Sequence, residues 1–319
     1  MGQSTAKQIT LYAYKIENDK ISKADSDFFD KLSSKLNNES SVEERCMEVS
    51  ETTKETDFLA SYINGGHYIW GNLMRIAPTK DMPSLPDDFL KRKTIAYSEL
   101  EEQNVDGKKR SCKYSYYFVM NKKYLITNIP SGQISRLKTY VNWLLEAERG
   151  DTLYNFSILI KTPKDTKISD LASIVFSGED SKSGKIPQKE ESTVSMKVTN
   201  LMKKSLSELL SKKDLSFLID KRVLSANLVV NIHSLRKGNK DEDKVKKALS
   251  AVITPMMDGD GVSFKTKDNR TIKAGEMIFK KKALINCLSG GSYNEQDLRK
   301  QMLDFLGELK GIKDETSCS

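Results

Sequence analysis

Histidine is nearly absent from this 319-residue chain: there are only two, His67 and His233, far apart in the sequence. A Ser/His/Asp triad or a His-rich metal site therefore has little material to form from. The four cysteines are scattered and form no CxxC pair, so neither a zinc ribbon nor a redox motif is indicated. Disulfide bonds are not expected either.

Long apolar runs are also absent, and none approaches the ~20 residues that span a bilayer. The first residues, MGQSTAKQIT, lack the apolar core of a signal peptide, and Ala6 stands where a myristoylation motif needs Ser or Thr. No GxxxxGK[ST], GxGxxG, GxSxG or HExxH motif occurs. We therefore expect a cytoplasmic protein with no catalytic residues, metal or cofactor.

Positive charge is in excess and unevenly placed. The chain has a formal net charge of +8, although residues 1–60 hold 8 basic and 12 acidic residues. Residues 221–282 hold 15 Lys and Arg against 7 Asp and Glu, a surplus equal to that of the whole chain. A basic body favours a nucleic-acid or acidic-protein partner, although many proteins have a pI near 9 without such a role.

The alternation of apolar residues predicts an α+β fold, with antiparallel hairpins and amphipathic helices in two α/β subdomains. In the first half we predict strands, hairpins and helices in alternation: a strand over 8–16, a helix over 26–37, hairpins over 58–76 and 114–129, a helix over 131–149 and strands over 153–161 and 168–176. The first hairpin turns at Asn64-Gly65-Gly66, whose residues tolerate positive φ. Residues 168–176 fit either a helical turn leading into a strand or a strand throughout.

A Ser-, Gly-, Lys- and Glu-rich stretch over 177–192 is the best linker candidate, so the predicted domains are 1–185 and a basic domain, 186–319. The second domain is predicted to contain helices over 193–211 and 215–219, a strand over 226–235, a helix over 241–254 and a hairpin over 262–278. An amphipathic helix over 296–309 packs either on its own domain or on a second copy.

The second predicted hairpin has the highest aromatic density in the chain, with Tyr114, Tyr116, Tyr117, Phe118 and Tyr124. Adjacent lysines (Lys113, Lys122, Lys123) make a platform for single-stranded nucleic acid one interpretation. The alternative is that the aromatic residues pack in the core and on the sheet surface, as they do in most strands.

The region over 224–284 is predicted to be a strand, a helix and then a basic hairpin. A two-stranded ribbon fits the major groove of DNA, and its lysines would neutralise phosphates with little sequence preference. The candidate nucleic-acid-binding residues are all basic: Arg236, Lys237, Lys240, Lys265, Lys267, Arg270, Lys273, Lys280, Lys281 and Lys282. The alternative is an edge strand that lysines protect from aggregation.

Asp258-Gly259-Asp260-Gly261 is the only close acidic pair in a Gly-rich context. It lacks the EF-hand spacing, because no Glu stands at the twelfth position. A metal-dependent nuclease would use Asp258 or Asp260 with Lys265. Turn chemistry before a hairpin explains the same residues without a metal.

The order of elements in YSYYFVMNKKYLITNIPSGQISRLKTYVNWLLEAERGDTLYNFSILI, followed by LSANLVVNIHSL and DGDGVSFKTKDNRTIK, resembles the RexA-like family of prophage exclusion and bacterial anti-phage defence. The resemblance covers roughly residues 58–285 and includes no signature motif. It implies a cytoplasmic, DNA-binding and dimeric protein that acts in abortive infection with a membrane or effector partner.

The sequence thus predicts a non-enzymatic protein that binds double-stranded DNA without much sequence preference and acts as a sensor or regulator in phage exclusion. Two alternatives stay open: a metal-dependent nuclease, and a module that binds an acidic phage protein through the same basic face.

Overall fold

A computed structural model of the chain describes residues 6–18, 27–37, 41–77, 87–96, 99, 111–146, 154–163, 166–177, 227–232, 242–253, 262–288 and 292–311. The chain divides into two compact units. Unit 1 comprises Met1–Ile129, Ile134–Phe156 and Lys280–Ser319, and unit 2 comprises Pro130–Gln133 and Ser157–Phe279. This division departs from the predicted single boundary near residue 185, which lies outside the described residues, because the C-terminal segment belongs with the N-terminal one.

The described strands and α-helices, in chain order, are β1 (Ala6–Asn18), α1 (Asp27–Asn37), β2 (Cys46–Glu48), β3 (Thr56–Asn64), β4 (Ile69–Ala77), α2 (Asp87–Leu90), β5 (Ser111–Met120), β6 (Tyr124–Thr127), α3 (Ile134–Leu144), β7 (Tyr154–Ile158), β8 (Leu171–Ser177), β9 (Asn227–Asn231), α4 (Glu242–Ile253), β10 (Val262–Thr266), β11 (Thr271–Lys273), α5 (Ala274–Met277), β12 (Lys280–Asn286) and α6 (Glu295–Gly311). Short 3₁₀ turns cover Glu43–Arg45, Ser131–Gln133 and Ile168–Asp170. The predicted α+β class is confirmed.

A large antiparallel sheet forms unit 1, with strand order β12-β1-β6-β5-β4-β3-β2 and β7 also paired to β1. The predicted β3–β4 hairpin is confirmed: Gly66 has φ +75°, and the Asn64 side chain accepts a hydrogen bond from the Gly66 N–H at 3.3 Å. Trp70 is 2% exposed. It therefore packs in the core, as expected of a hairpin aromatic residue.

Amphipathic helices cover this sheet. The apolar stripe of α1 is buried, as predicted from its spacing, and so is the stripe of α6: Leu298, Met302, Phe305, Leu306 and Leu309. Helix α6 contacts β5, β6 and β12, so it packs on its own unit. In α3, the side chain of Asn142 exchanges hydrogen bonds with the backbone of Tyr154 and so fixes the entry to β7.

Unit 2 contains a four-stranded sheet of order β11-β10-β8-β9. Both β9 and β10 pair antiparallel with β8, so the connection β9–α4–β10 crosses over one intervening strand. Leu249 and Ile253 of α4 are buried. Residues 168–176 follow the first predicted alternative, a 3₁₀ turn that leads into β8.

One prediction at the basic hairpin is corrected. The hairpin was predicted over 262–278, but its second strand ends at Lys273, and Ala274–Met277 form a short helix with Ala274 and Met277 buried. Lys280–Lys282 follow the hairpin in sequence. They begin β12, which pairs with β1 from Ala6↔Asn286 to Tyr12↔Lys280.

The predicted linker over 177–192 and the helices over 193–211 and 215–219 lie outside the described residues, apart from Ser177 at the end of β8. Among the helices that the structure describes, none combines the length and apolar character required to cross a membrane.

Candidate nucleic-acid interface

The predicted basic hairpin exists, over β10 and β11. Phe264 pairs with Ile272, and both side chains are buried, which anchors one face of the hairpin in the core of unit 2. Asn269 takes the positive φ of +63° at the turn, and the Thr266 N–H donates to the Arg270 carbonyl at 2.9 Å. Asparagine tolerates this conformation at a turn, as the predicted hairpin requires between its two strands.

Strand alternation places Lys265 and Lys273 on the opposite, outward face. Lys265 lies across from Thr271, and Lys273 lies across from Ser263. The side chains of Lys265, Lys267 and Lys273 are exposed, and no described carboxylate forms an ion pair with any of them. Their positive charge is therefore available to a ligand.

Arg270 differs from these lysines because it has a carboxylate partner. Its Nε lies 2.6 Å from Asp268 Oδ2. The Thr266 hydroxyl also donates to Asp268, and together with Arg270 it holds the pKa of this exposed carboxyl below its ordinary value. Arg270 and Asp268 thus neutralise each other at the turn, which leaves Lys265, Lys267 and Lys273 as the positive charges of the hairpin that no described carboxylate neutralises.

The other predicted binding residues do not lie on this hairpin. Lys280, Lys281 and Lys282 belong to β12 in unit 1. Lys281 forms an ion pair with Glu308 at 2.5 Å and stands over the ring of Phe305. Arg236, Lys237 and Lys240 lie outside the described residues. Of the ten predicted residues, the structure therefore brings together Lys265, Lys267, Arg270 and Lys273.

Metal-dependent chemistry has no geometric support in the described part of the chain, where no three His, Cys, Asp or Glu side chains cluster as metal ligands. Asp258 and Asp260, the carboxylates of the nuclease alternative, lie outside it. The nuclease stays a prediction from sequence.

A second basic and aromatic group lies on the sheet of unit 1, at the start of β5. The rings of Tyr114 and Tyr116 stack, with centroids 4.5 Å apart and planes inclined by 28°. The guanidinium of Arg136, from α3, stands 4.7 Å from the Tyr114 centroid, and that of Arg75, from β4, stands 5.1 Å away. All four side chains are half-buried. We call this group the tyrosine–arginine patch.

Fixed contacts hold this patch in place. Asp57, fully buried, accepts two hydrogen bonds from Arg75, at 2.5 and 2.6 Å, and a third from the Tyr114 hydroxyl at 2.9 Å. Glu55 forms ion pairs with Arg75 and Lys113. Burial, reinforced by Asp57, raises the pKa of Tyr114, so its phenol stays protonated and keeps donating.

The sequence marked Tyr114, Tyr116 and Lys113 but gave no sign of Arg75 or Arg136. These arginines come from β4 and α3, and only the antiparallel register of β4 with β5 and the packing of α3 bring them to the tyrosines. Lys122, in the turn between β5 and β6, is not part of this patch. Its Nζ lies 2.9 Å from Oδ2 of Asp30 in α1.

A third feature is a cavity of about 400 Å³ at the start of α6, lined by Ala96, Leu288, Ser292, Tyr293, Asn294, Glu295 and Gln296. The hydroxyl of Tyr117 donates to Glu295 Oε1 at 3.3 Å. Burial raises the pKa of Glu295, although the Tyr117 hydrogen bond and nearby Arg299 oppose this effect.

Comparison of the chain with protein-family models, with curated proteins and with solved structures gives no match.

Proposed function

We propose that this protein binds double-stranded DNA without sequence preference, through the outward face of the β10–β11 hairpin. The observation that carries the proposal is the set of exposed lysines Lys265, Lys267 and Lys273, which have no carboxylate partner among the described residues. The buried face of the same hairpin holds them on a fixed backbone. Lysines on such a ribbon contact phosphates and read little sequence.

The biological setting is part of the proposal and is supported by the resemblance to the RexA-like family. In this setting the protein acts in the bacterial cytoplasm as a dimeric, non-enzymatic sensor or regulator of phage exclusion, together with a membrane or effector partner. DNA binding would be the means by which it detects the infecting genome.

The test is equilibrium binding of the full chain to DNA duplexes of unrelated sequence over a salt series. Three neutralised phosphates give a slope of about −3 in log K against log salt. We expect Lys265→Gln, Lys267→Gln and Lys273→Gln together to weaken binding equally for every sequence and to flatten this slope. A matched control removes three exposed lysines from unit 1, Lys15, Lys91 and Lys300, and we expect it to change binding far less.

Three results would overturn the proposal: no binding at low salt, equal effects of the two triple variants, or a strong preference for one duplex sequence. Binding of an acidic protein but not of DNA, lost in the hairpin variant, would instead establish the same face as a protein-interaction surface. Cleavage of the duplex that requires magnesium and is lost in Asp258→Asn or Asp260→Asn would establish the nuclease.

A further inference from the structure

The tyrosine–arginine patch has a composition that the duplex-binding hairpin lacks. It combines two stacked aromatic rings with guanidinium groups, on the sheet of unit 1 rather than in unit 2. Aromatic residues in strands are usually buried in the core. Tyr117 and Phe118 of the same strand follow this rule, since each is 2% exposed. Tyr114 and Tyr116 remain partly exposed.

The arginines of the patch differ in how far their charge is neutralised. Arg75 is held by the two carboxylates Asp57 and Glu55. Arg136 has no such partner: no described carboxylate forms an ion pair with it, and its recorded contact is the face of Tyr114. A guanidinium stacked on an aromatic ring keeps its N–H donors at the ring edge, where they can meet a phosphate oxygen.

One positive charge of the patch stays without a carboxylate partner among the described residues. Glu55 and Asp57 pair with Lys113 and Arg75. The guanidinium of Arg136 is therefore the charge that a polyanion would meet at the tyrosines. The charge favours a nucleic acid over an apolar peptide.

Duplex DNA cannot use the tyrosine rings, because its bases are stacked on one another inside the helix. An unpaired base can stack on such a ring while its phosphate lies against a basic side chain, as in proteins that bind single strands. The Asp57 network keeps Tyr114 in place before any ligand arrives, so little conformational freedom of the site is lost on binding.

We propose that the tyrosine–arginine patch is a binding site for single-stranded nucleic acid, with a base stacked on the Tyr114–Tyr116 pair and a phosphate contacted by Arg136. This site is independent of the basic hairpin. It gives the protein two modes of nucleic-acid binding, one for duplex and one for unpaired strands.

The test uses the full chain with a fluorescent oligothymidylate and with an abasic deoxyribose-phosphate oligomer of equal length and charge. The unmodified protein binds oligothymidylate more tightly than the abasic oligomer. Tyr116→Ala weakens oligothymidylate binding about fivefold or more and removes that preference, whereas Tyr116→Phe, which keeps the ring, retains it. Arg136→Gln weakens binding of both oligomers.

Tyr68→Ala is the matched control, because Tyr68 is a half-buried tyrosine of unit 1 in the β3–β4 turn, at the end of β4 away from Arg75. We expect it to bind oligothymidylate as the unmodified protein does. Thermal unfolding of each variant establishes that it is folded. If Tyr116→Ala does not fold, Arg136→Gln still tests the site, because this variant retains both tyrosines.

Equal affinity of the unmodified protein for the two oligomers would overturn the proposal, as would oligothymidylate binding unchanged by both Tyr116→Ala and Arg136→Gln. Loss of duplex binding in the hairpin variant does not test the single-strand proposal, because that variant retains the tyrosine–arginine patch. The two proposals therefore succeed or fail separately.

Discussion

Tyr140 links two separate segments of unit 1 through its hydroxyl. The residue is 1% exposed, its hydroxyl donates to the Arg45 carbonyl at 2.8 Å, and it accepts from the Leu59 N–H at 2.9 Å. Arg45 is itself fully buried, and its guanidinium donates to the carbonyls of Leu59 and Lys93. One phenol thus satisfies backbone groups that water does not reach.

Tyr140→Phe should therefore destabilise the protein by about 1–3 kcal/mol, because it leaves a buried N–H and a buried carbonyl without this partner. Urea unfolding measures the effect as a lower midpoint with an unchanged slope. The control Tyr68→Phe removes a hydroxyl at the half-exposed β3–β4 turn, where we expect a change within about 0.5 kcal/mol. Equal effects of the two substitutions would contradict the role assigned to the Tyr140 hydroxyl.

Glu295 makes stability depend on pH. Its pKa is raised in the folded protein above the ordinary value of 4.5, chiefly by burial, so the folded state holds a proton that the unfolded state has released. Stability therefore falls as pH rises from about 4.5 through the raised pKa. Below this window the group is neutral in both states and contributes no such penalty.

Glu295→Gln removes this titration while keeping an oxygen that can accept from Tyr117. We expect the difference in melting temperature, variant minus unmodified protein, to become more positive as the pH rises from 4 to 7. Asp304→Asn, on the exposed side of the same helix, is the control for a general loss of negative charge. A difference that stays constant or shrinks with rising pH would count against the burial of this carboxyl.

At the scale of one element, the β3–β4 hairpin contains two glycines with different roles. Gly66 has φ +75° at the turn, and a Cβ there would meet no atom within 4 Å. Gly71 lies within β4, where a Cβ would stand 2.6 Å from Phe118 Cζ and 2.8 Å from Leu59 Cδ1. Both of these neighbours are buried and cannot move freely.

We expect Gly71→Ala to cost about 1–3 kcal/mol through overpacking. Gly66→Ala should cost about 1 kcal/mol, from backbone conformation alone. Chemical denaturation of the two variants under one set of conditions checks the order. A larger loss at Gly66 would show that the contact of β4 with Phe118 and Leu59 is looser than described.

Local sequence patterns predicted correctly those turns and helices whose conformation is determined by neighbouring residues. The β3–β4 turn follows from Asn64-Gly65-Gly66, and the buried side of α6 follows from residues spaced three and four apart. The end of β11 at Lys273 was missed, because Ala274–Met277 alternate acceptably as a strand and form a helix in which Ala274 and Met277 are buried.

Long-range placement could not be predicted in this way. Lys280–Lys282 follow the hairpin closely in sequence, yet β12 pairs with β1, more than 260 residues earlier in the chain. The ion pair between Asp57 and Arg75 and the approach of Arg136 to Tyr114 likewise depend on sheet register and helix packing. The sequence therefore identified the hairpin lysines and two tyrosines of the candidate sites, but not the groups that orient the tyrosines.

At the scale of the whole molecule, the main segment of unit 2, Ser157–Phe279, is inserted within the chain of unit 1. Its entering and leaving segments run antiparallel beside each other. The Lys161 N–H donates to the Met277 carbonyl at 2.8 Å, and the Phe279 N–H donates to the Leu159 carbonyl at the same distance. A two-residue Asn-Gly turn could therefore join Lys161 to Met277 in place of residues 162–276.

We expect this shortened chain to fold, because it keeps β1–β7, β12 and α6, and to unfold in a single cooperative transition in urea. It lacks Lys265, Lys267 and Lys273, so salt-dependent duplex binding should be lost. A shortened chain that is insoluble or shows no cooperative transition would mean that unit 1 requires unit 2 in order to fold.

The pairing of β1 with β12 has a consequence for synthesis on the ribosome. At ordinary translation rates, the 262 residues from Asn18 to Lys280 require on the order of 10 to 50 s to make. During that time the β1 edge from Ala6 to Tyr12 lacks its partner strand, and such an edge can pair with another nascent chain. A molecular chaperone that shields the emerging chain would therefore raise the yield of native protein more than one added after release.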